Sequence, residues 1–270
     1  MPLYVSERFV VKTDVAEPQC DQLLSNAARE NLTRSATPLE CVVYLSLGIE
    51  HVLLVYRGRF IMLDEQLSLE NFNGKARLFP LPNLVLFPGV EQGLHIFEYR
   101  YRDMAADALA SDKLVAMVLL KPNWELDYDA KPAIEQVCCL GRIIESEELP
   151  DGRYNLRLLG LARFAIETEL RCDDKLYRTA SGRLINDGHG KNINDENILR
   201  SRLQHLLQQR YATHPAAMAR LIAVFDAENT NSMVCDQLSY CLPLSLDVKQ
   251  QLLVEAIVVK RFGLLLLTLE

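Results

Sequence analysis

Residues 77–89 read Arg77-Leu78-Phe79-Pro80-Leu81-Pro82-Asn83-Leu84-Val85-Leu86-Phe87-Pro88-Gly89, and LHIFEYRYRDM follows at 94–104. Leu-Phe-Pro occurs at 78–80 and again at 86–88, so Pro80, Pro82 and Pro88 fall inside one of the most apolar runs of the chain. Proline cannot donate to a sheet ladder and breaks helix interiors. Such a run is either a special piece of scaffold or an exposed binding surface. Residues 84–87 read as a strand closed by the turn signal Pro88-Gly89. On this reading Pro80 and Pro82 hold its entry extended and withhold donors from an edge. The prolines then flank the strand, with Leu84 and Leu86, or Val85 and Phe87, facing the core.

Outward from that stretch the chain divides in three. Residues 77–190 are strand-rich. After a short strand at 94–97, Tyr101, Met104, Ala105, Ala108 and Leu109 recur at helical spacing. A continuous apolar run at 114–120 reads as a buried strand. Residues 134–144 and 153–159 form strands around the hairpin turn Leu149-Pro150-Asp151-Gly152, with Tyr154, Leu156 and Leu158 on one face. Runs at 163–169 and 176–185 complete the set. Many short strands with Gly and Pro turns and a single helix predict a small closed or partly closed barrel.

Residues 191–270 are helical. Leu199, Leu203, Leu206 and Leu207 form one stripe, and a helix from Pro215 is expected to bury Met218, Leu221, Ile222 and Phe225. Ser232 and Ser245 stand where N-caps belong, ahead of Val234, Leu238 and Cys241 in one case and Val248, Leu252 and Leu253 in the other. Residues 186–196 (NDGHGKNINDE) read as a mobile join. Residues 1–76 form an N-terminal extension of mixed character, with β-type runs at 41–47, 51–56 and 59–63 and a polar linker at 64–74. The fold class expected is therefore α+β, a β-barrel followed by a C-terminal helical bundle.

The chain has 270 residues, 49% of them hydrophobic and 24% charged, which is enough to bury a real core. A net charge of −7 argues against long nucleic acid, whose phosphates need a clustered positive field. No window approaches about 18 uninterrupted apolar residues, so no membrane span is expected. The N-terminus, with Glu7, Arg8, Lys12 and Asp14, lacks the apolar core of a signal peptide. Seven cysteines without a C-x-x-C pair fit a reducing, cytoplasmic setting. Cys138 and Cys139 are neighbours on a strand pattern, so their thiols should diverge.

Catalytic constellations are missing. Gly188-His189-Gly190-Lys191-Asn192 lacks phosphate-loop spacing, and neither a G-x-S-x-G elbow nor an H-E-x-x-H helix occurs. His95 and Glu98 sit three apart, which sends them to opposite faces of a strand. His95 reads as a partly buried strand residue, and Glu98 as the opening of the next helix, where a carboxylate suits the dipole. No catalytic residue, metal site or cofactor is expected. The segment 121–132 (KPNWELDYDAKP) holds the only tryptophan, together with a tyrosine, among prolines and acids. Trp124 and Tyr128 either present an interaction surface, or Trp124 folds back to plug one end of the barrel. Tyr99 is the third aromatic candidate for substrate binding.

The stretches 78–89 and 94–104 resemble the opening signature of the Lon protease N-terminal, substrate-binding domain. In outline that signature is L-F-P-L-P-x-x-V-L-F-P-G, a short gap, then L-x-I-F-E-x-R-Y-R-x-M. Residues 238–270, with Leu242-Pro243-Leu244-Ser245 and Lys249-Gln250-Gln251-Leu252-Leu253, are similar to the family's closing helices. Gln92-Gly93 stands where the family commonly has Leu-Pro, a departure expected to loosen the turn before Leu94. The resemblance covers about 77–270 and implies a PUA-like barrel followed by a helical bundle. It further implies binding of unfolded or damaged polypeptides by a stand-alone, non-catalytic member without the ATPase and Ser-Lys peptidase domains. Such a member would serve as an adaptor for a protease or chaperone in quality control. It places the natural start near Met62, so that removing residues 1–61 should leave thermal stability unchanged. Two rival expectations stand beside this one: a small-molecule or nucleoside-binding PUA-like sensor, and an enzyme using Cys138 or His95.

Overall fold

The computed structural model describes residues 53–56, 59–62, 69–127, 131–171, 174–190 and 192–269. Strands β1 (Leu53–Tyr56) and β2 (Arg59–Met62) pair with each other and, among the described residues, with no other strand. The expected strand at 41–47 lies outside the described residues, as do 63–68 of the expected linker. The rest of that linker is not a spacer: Leu69 and Phe72 pack on the barrel interior, and the Phe72 ring meets Phe164 edge-on at 5.6 Å.

A second sheet contains β3 (Lys75–Leu81), β4 (Glu91–Ile96), β5 (Leu114–Leu119), β6 (Val137–Glu148), β7 (Tyr154–Leu170) and β8 (Thr179–Ile185), with α1 (Tyr99–Leu109) between β4 and β5. Its order is β4-β7-β6-β5-β3-β8, and β8 also pairs with β7. That last pairing closes β7, β6, β5, β3 and β8 into a ring, as expected for a barrel. β7 makes the closure possible by its length of 17 residues. Residues 154–159 pair with β4, residues 163–170 pair with β8, and β6 runs along the other edge of both halves. The runs at 153–159 and 163–169 are therefore one strand, continuous through Gly160. A Cβ at Gly160 would lie 2.2 Å from the Phe87 carbonyl oxygen, so the close approach needs glycine.

Strand alternation explains why β5 is apolar throughout. Leu114, Ala116 and Val118 fill the barrel with Leu78, Leu140 and Phe164, while Val115, Met117 and Leu119 face a second core shared with the helices. Cys138 and Cys139 diverge in the same way, one into each cluster.

The opening stretch folds differently from its reading. The first Leu-Phe-Pro lies inside β3, and residues 84–87 carry no ladder, although Val85, Leu86 and Phe87 are all buried. Amide directions alternate along a strand. The Leu78 N–H donates to the Arg178 carbonyl, and the nitrogen of Pro80, two residues on, faces the same side. The β3–β8 ladder covers only residues 75–77, whereas residues 78–81 are registered with β5 on the other side. The missing proline donor thus falls where no strand calls for it. Gln92 and Gly93 are not a loosened turn either: both sit in the β4–β7 ladder, and Gln92 Oε1 accepts from the Tyr240 hydroxyl.

Five helices follow: α2 (Ile193–Arg210), α3 (Pro215–Val224), α4 (Asn231–Cys241), α5 (Leu246–Val254) and α6 (Val258–Leu269). Leu203, Leu207, Leu238, Leu252, Phe262 and Leu265 join barrel residues in the shared core. Ser245 caps α5 as expected, accepting from the Val248 N–H. The cap of α4 is Thr230, not Ser232, and accepts from Met233 N–H. Ile222 points outward, 64% exposed, while Leu221 and Phe225 are buried.

The segment 186–196 is tied down at several points and is not a loose join. Gly188 pairs with Ile257, its N–H donating to the Ala256 carbonyl and its carbonyl accepting from Val258 N–H. Buried Glu196 accepts from the N–H of Gly190 and from Asn231 Nδ2. Asp187 enters a charged cluster at the seam of barrel and bundle. Arg163 of β7 donates from Nε to the Leu253 carbonyl and from its two Nη atoms to Asp187 and Asp236. Arg261 of α6 donates to Asp236, Asp187 and Ser232 Oγ. Arg163, Arg261 and Asp236 are all at most 1% exposed. Two guanidiniums face two carboxylates, so the cluster is neutral as a whole.

Candidate functional site

A groove of about 770 Å³ opens where the barrel meets α5 and α6. Its barrel wall comes from Pro82, just past β3, from Leu119 and Leu120 at the end of β5, and from Trp124. The chain reaches Trp124 through Pro122 and Asn123, the latter at φ 67°, in the left-handed region that asparagine tolerates. A short 3₁₀ turn, Trp124–Asp127, follows. The facing wall is helical: Leu246, Gln250 and Val254 lie on α5 and Leu264 on α6. Val254 is 48% exposed at the end of its helix.

Three carboxylate side chains, Glu135, Asp247 and Glu255, line the same groove, and among the described residues no lysine, arginine or histidine does. Glu255 accepts from Ile257 N–H and lies 3.7 Å from Lys260. Gln250 is recessed, 8% exposed, with Nε2 donating to the Val137 carbonyl and Oε1 left without a donor. The groove therefore offers apolar area and carboxylate acceptors, with the exposed amide of Gln251 beside them.

Of the three predicted aromatics, Trp124 and Tyr99 are not brought together. Trp124 is half-buried in the groove wall. Tyr128 lies outside the described residues. Tyr99 opens α1, 76% exposed, with the Arg102 guanidinium 5.0 Å from its ring centroid, and lines neither this groove nor a smaller cavity of about 80 Å³ beside Tyr101 and Tyr177. The helical wall escaped sequence reasoning, because an exposed Val254 has the same pattern as a core valine. The tryptophan among prolines was the one legible signal.

The residues considered for catalysis are poorly placed for it. Burial pushes both the Cys138 and Cys139 thiols far above their ordinary range, which keeps them protonated and unreactive. His95 is exposed and not partly buried as expected; it lies 2.8 Å from Asn155 Oδ1 and stacks near Phe97. Glu98 opens α1 as expected and pairs with Arg100 at 2.8 Å.

Residues 75–270 match the family described as the ATP-dependent protease La (LON) substrate-binding domain. This chain belongs to that family. Among curated relatives, a Lon protease of Flavobacterium johnsoniae is 29% identical over 118 residues, which is 44% of this chain and 14% of that protein. Lon protease 1 of Bacillus subtilis is 25% identical over 197 residues, 72% of this chain and 24% of the relative. The chain thus spans less than a quarter of the length of these Lon proteases. The fold of the Lon N-terminal domain is shared with two solved structures. One, a Lon N-terminal domain protein from Xanthomonas campestris, has a TM-score of 0.52 at 24% identity, covering 72% of this chain and 97% of the other. The other, the N-terminal domain of a Mycobacterium avium complex Lon protease, has a TM-score of 0.58 at 14% identity with the same coverages. The Lon-type barrel and bundle thus supply the two walls of the groove. Among the described residues no helix is long and apolar enough to cross a membrane.

Proposed function

We propose that this chain is a non-catalytic polypeptide-binding module that captures unfolded or damaged protein segments in the groove between Trp124 and Val254, serving as an adaptor for proteolysis or quality control. The observation that carries the reading is the groove itself, an open apolar channel at the seam of a domain whose family is described as substrate-binding. Exposed apolar side chains of a non-native chain gain about 25 cal/mol per Å² when covered, and Leu119, Leu120, Pro82 and Trp124 offer such a surface. The barrel lumen, where a small-molecule sensor could enclose its ligand, is filled by Leu78, Leu140 and Phe164.

Trp124 is the only tryptophan, so its emission reports on the groove alone. Titration with a reduced, carboxymethylated protein is expected to shift that emission saturably, while the same protein in its native form leaves it unchanged. Val254→Asp places a charge on an exposed wall residue and should weaken binding about tenfold or more without lowering the melting temperature. Equal affinity of the variant would place binding elsewhere and overturn the assignment.

A further inference from the structure

The cavity beside Tyr101 is too small for a ligand of note, and nothing in the structure covers the exposed Ile198, Ile222 and Leu267 or shows what would. The groove carries more than apolar capture, because its charged side chains are all of one sign. Glu135 and Asp247 have no ion-pair partner among the described residues, Glu255 is paired with Lys260 at 3.7 Å, and Gln250 Oε1 is a recessed acceptor with no donor. The other amide atom of Gln250 is committed to the Val137 carbonyl, so the side chain cannot turn over without losing that bond. A buried acceptor left unsatisfied is costly, and a donor arriving with a ligand relieves it.

We propose that the groove selects extended peptide segments in which a bulky apolar residue is flanked by lysine or arginine. The apolar side chain lies between Trp124 and Val254, the flanking cations meet Glu135 and Asp247, and a peptide N–H donates to Gln250 Oε1. Segments flanked by aspartate or glutamate are rejected by the same carboxylates. This inference rests on the polypeptide-binding reading above and adds to it a choice of sequence.

The test uses the full chain and four blocked heptapeptides free of tryptophan and tyrosine: Lys-Lys-Leu-Phe-Leu-Lys-Lys, the same with Glu for Lys, the same with Ser for Lys, and Lys-Lys-Ser-Ser-Ser-Lys-Lys. Binding is followed by Trp124 emission and by calorimetry. The first peptide is expected to bind about tenfold more tightly than the Ser-flanked one, the increment of about two charge pairs, and to lose that advantage in high salt. The Glu-flanked and all-polar peptides should bind weakest. The pair Glu135→Gln/Asp247→Asn should erase the preference for lysine while retaining affinity for the Ser-flanked peptide. Glu70→Gln/Asp103→Asn removes the same charge outside the groove and should leave the preference intact. Equal binding of the Lys- and Ser-flanked peptides overturns the selectivity and leaves apolar capture standing. A preference abolished equally by both double variants also overturns it, since net charge alone would then explain the effect. No binding of any peptide in either measurement overturns the polypeptide-binding reading itself.

Discussion

Arg163 shows how a charge can be held in the interior of this fold. It is 1% exposed, yet Nε and both Nη atoms have acceptors, supplied by Leu253, Asp187 and Asp236. Arg163→Met would leave Asp236 buried, with only Arg261 beside it. Breaking a buried pair costs about 3–5 kcal/mol, so the variant should unfold at a clearly lower urea concentration. Arg163→Met combined with Asp236→Leu restores the charge balance and should recover part of that loss. A single variant as stable as the parent would show that the cluster contributes nothing. Asp107, on α1, behaves differently because it is at the surface. Hydrogen bonds from Lys175 and then Tyr177 hold its carboxyl below the ordinary value of 3.8. A lowered folded-state value means that the stability is fully present above the unfolded value and is lost as pH falls through the folded one. Melting temperature measured from pH 6 downward should therefore fall less steeply below about pH 4 in Asp107→Asn than in the parent, by the equivalent of about 1 kcal/mol or less.

At the scale of elements, the two caps separate local from distant demands. Thr230→Ala should cost about 1 kcal/mol through loss of the α4 cap, whereas Ser232→Ala should act through the hydroxyl's bonds to Asp187 and Arg261. Ser232→Ala should therefore lose part of its effect in the Arg261→Met background, where only the bond to Asp187 is left, while Thr230→Ala keeps its own in full; a thermal-melt cycle distinguishes the two. Ser232 was the natural cap to read, since serine caps at least as well as threonine and only the position of Asp187 shows that its hydroxyl is committed elsewhere. Local physics made other elements legible: the six-residue apolar run of β5, the hairpin turn at 149–152 with Gly152 at φ 78°, and the Ser245 cap. It could not place 84–87, because three consecutive buried apolar residues resemble a strand whether or not a neighbour offers a ladder. For the groove, Trp124 was legible from composition and Val254 was not. The wall it completes is made by folding residues far apart in sequence against each other.

For the whole molecule, the shared core matters most. Val115, Met117 and Ile143 of the barrel lie in one cluster with Leu203, Leu252 and Leu265 of the helices, and Arg163 binds across the seam. Barrel and bundle should accordingly unfold together. Trp124 emission, which reports the barrel end, and far-ultraviolet ellipticity at 222 nm, which reports the helices, are expected to give superimposable urea curves. Two separated midpoints would show that the core is divided at the seam.

The closing ladder of the barrel has a consequence for how the protein is made. Lys75 pairs with Ser181, and Arg163 waits for Asp236 and Arg261. A ribosome that has released β3 and β5 has delivered LVAMVL, an apolar strand with neither of its two cores yet available. Pairing across so long a loop is slow, and the unpartnered strand is sticky in the meantime. During its own synthesis, a domain proposed to hold the exposed segments of other proteins displays just such a segment of its own.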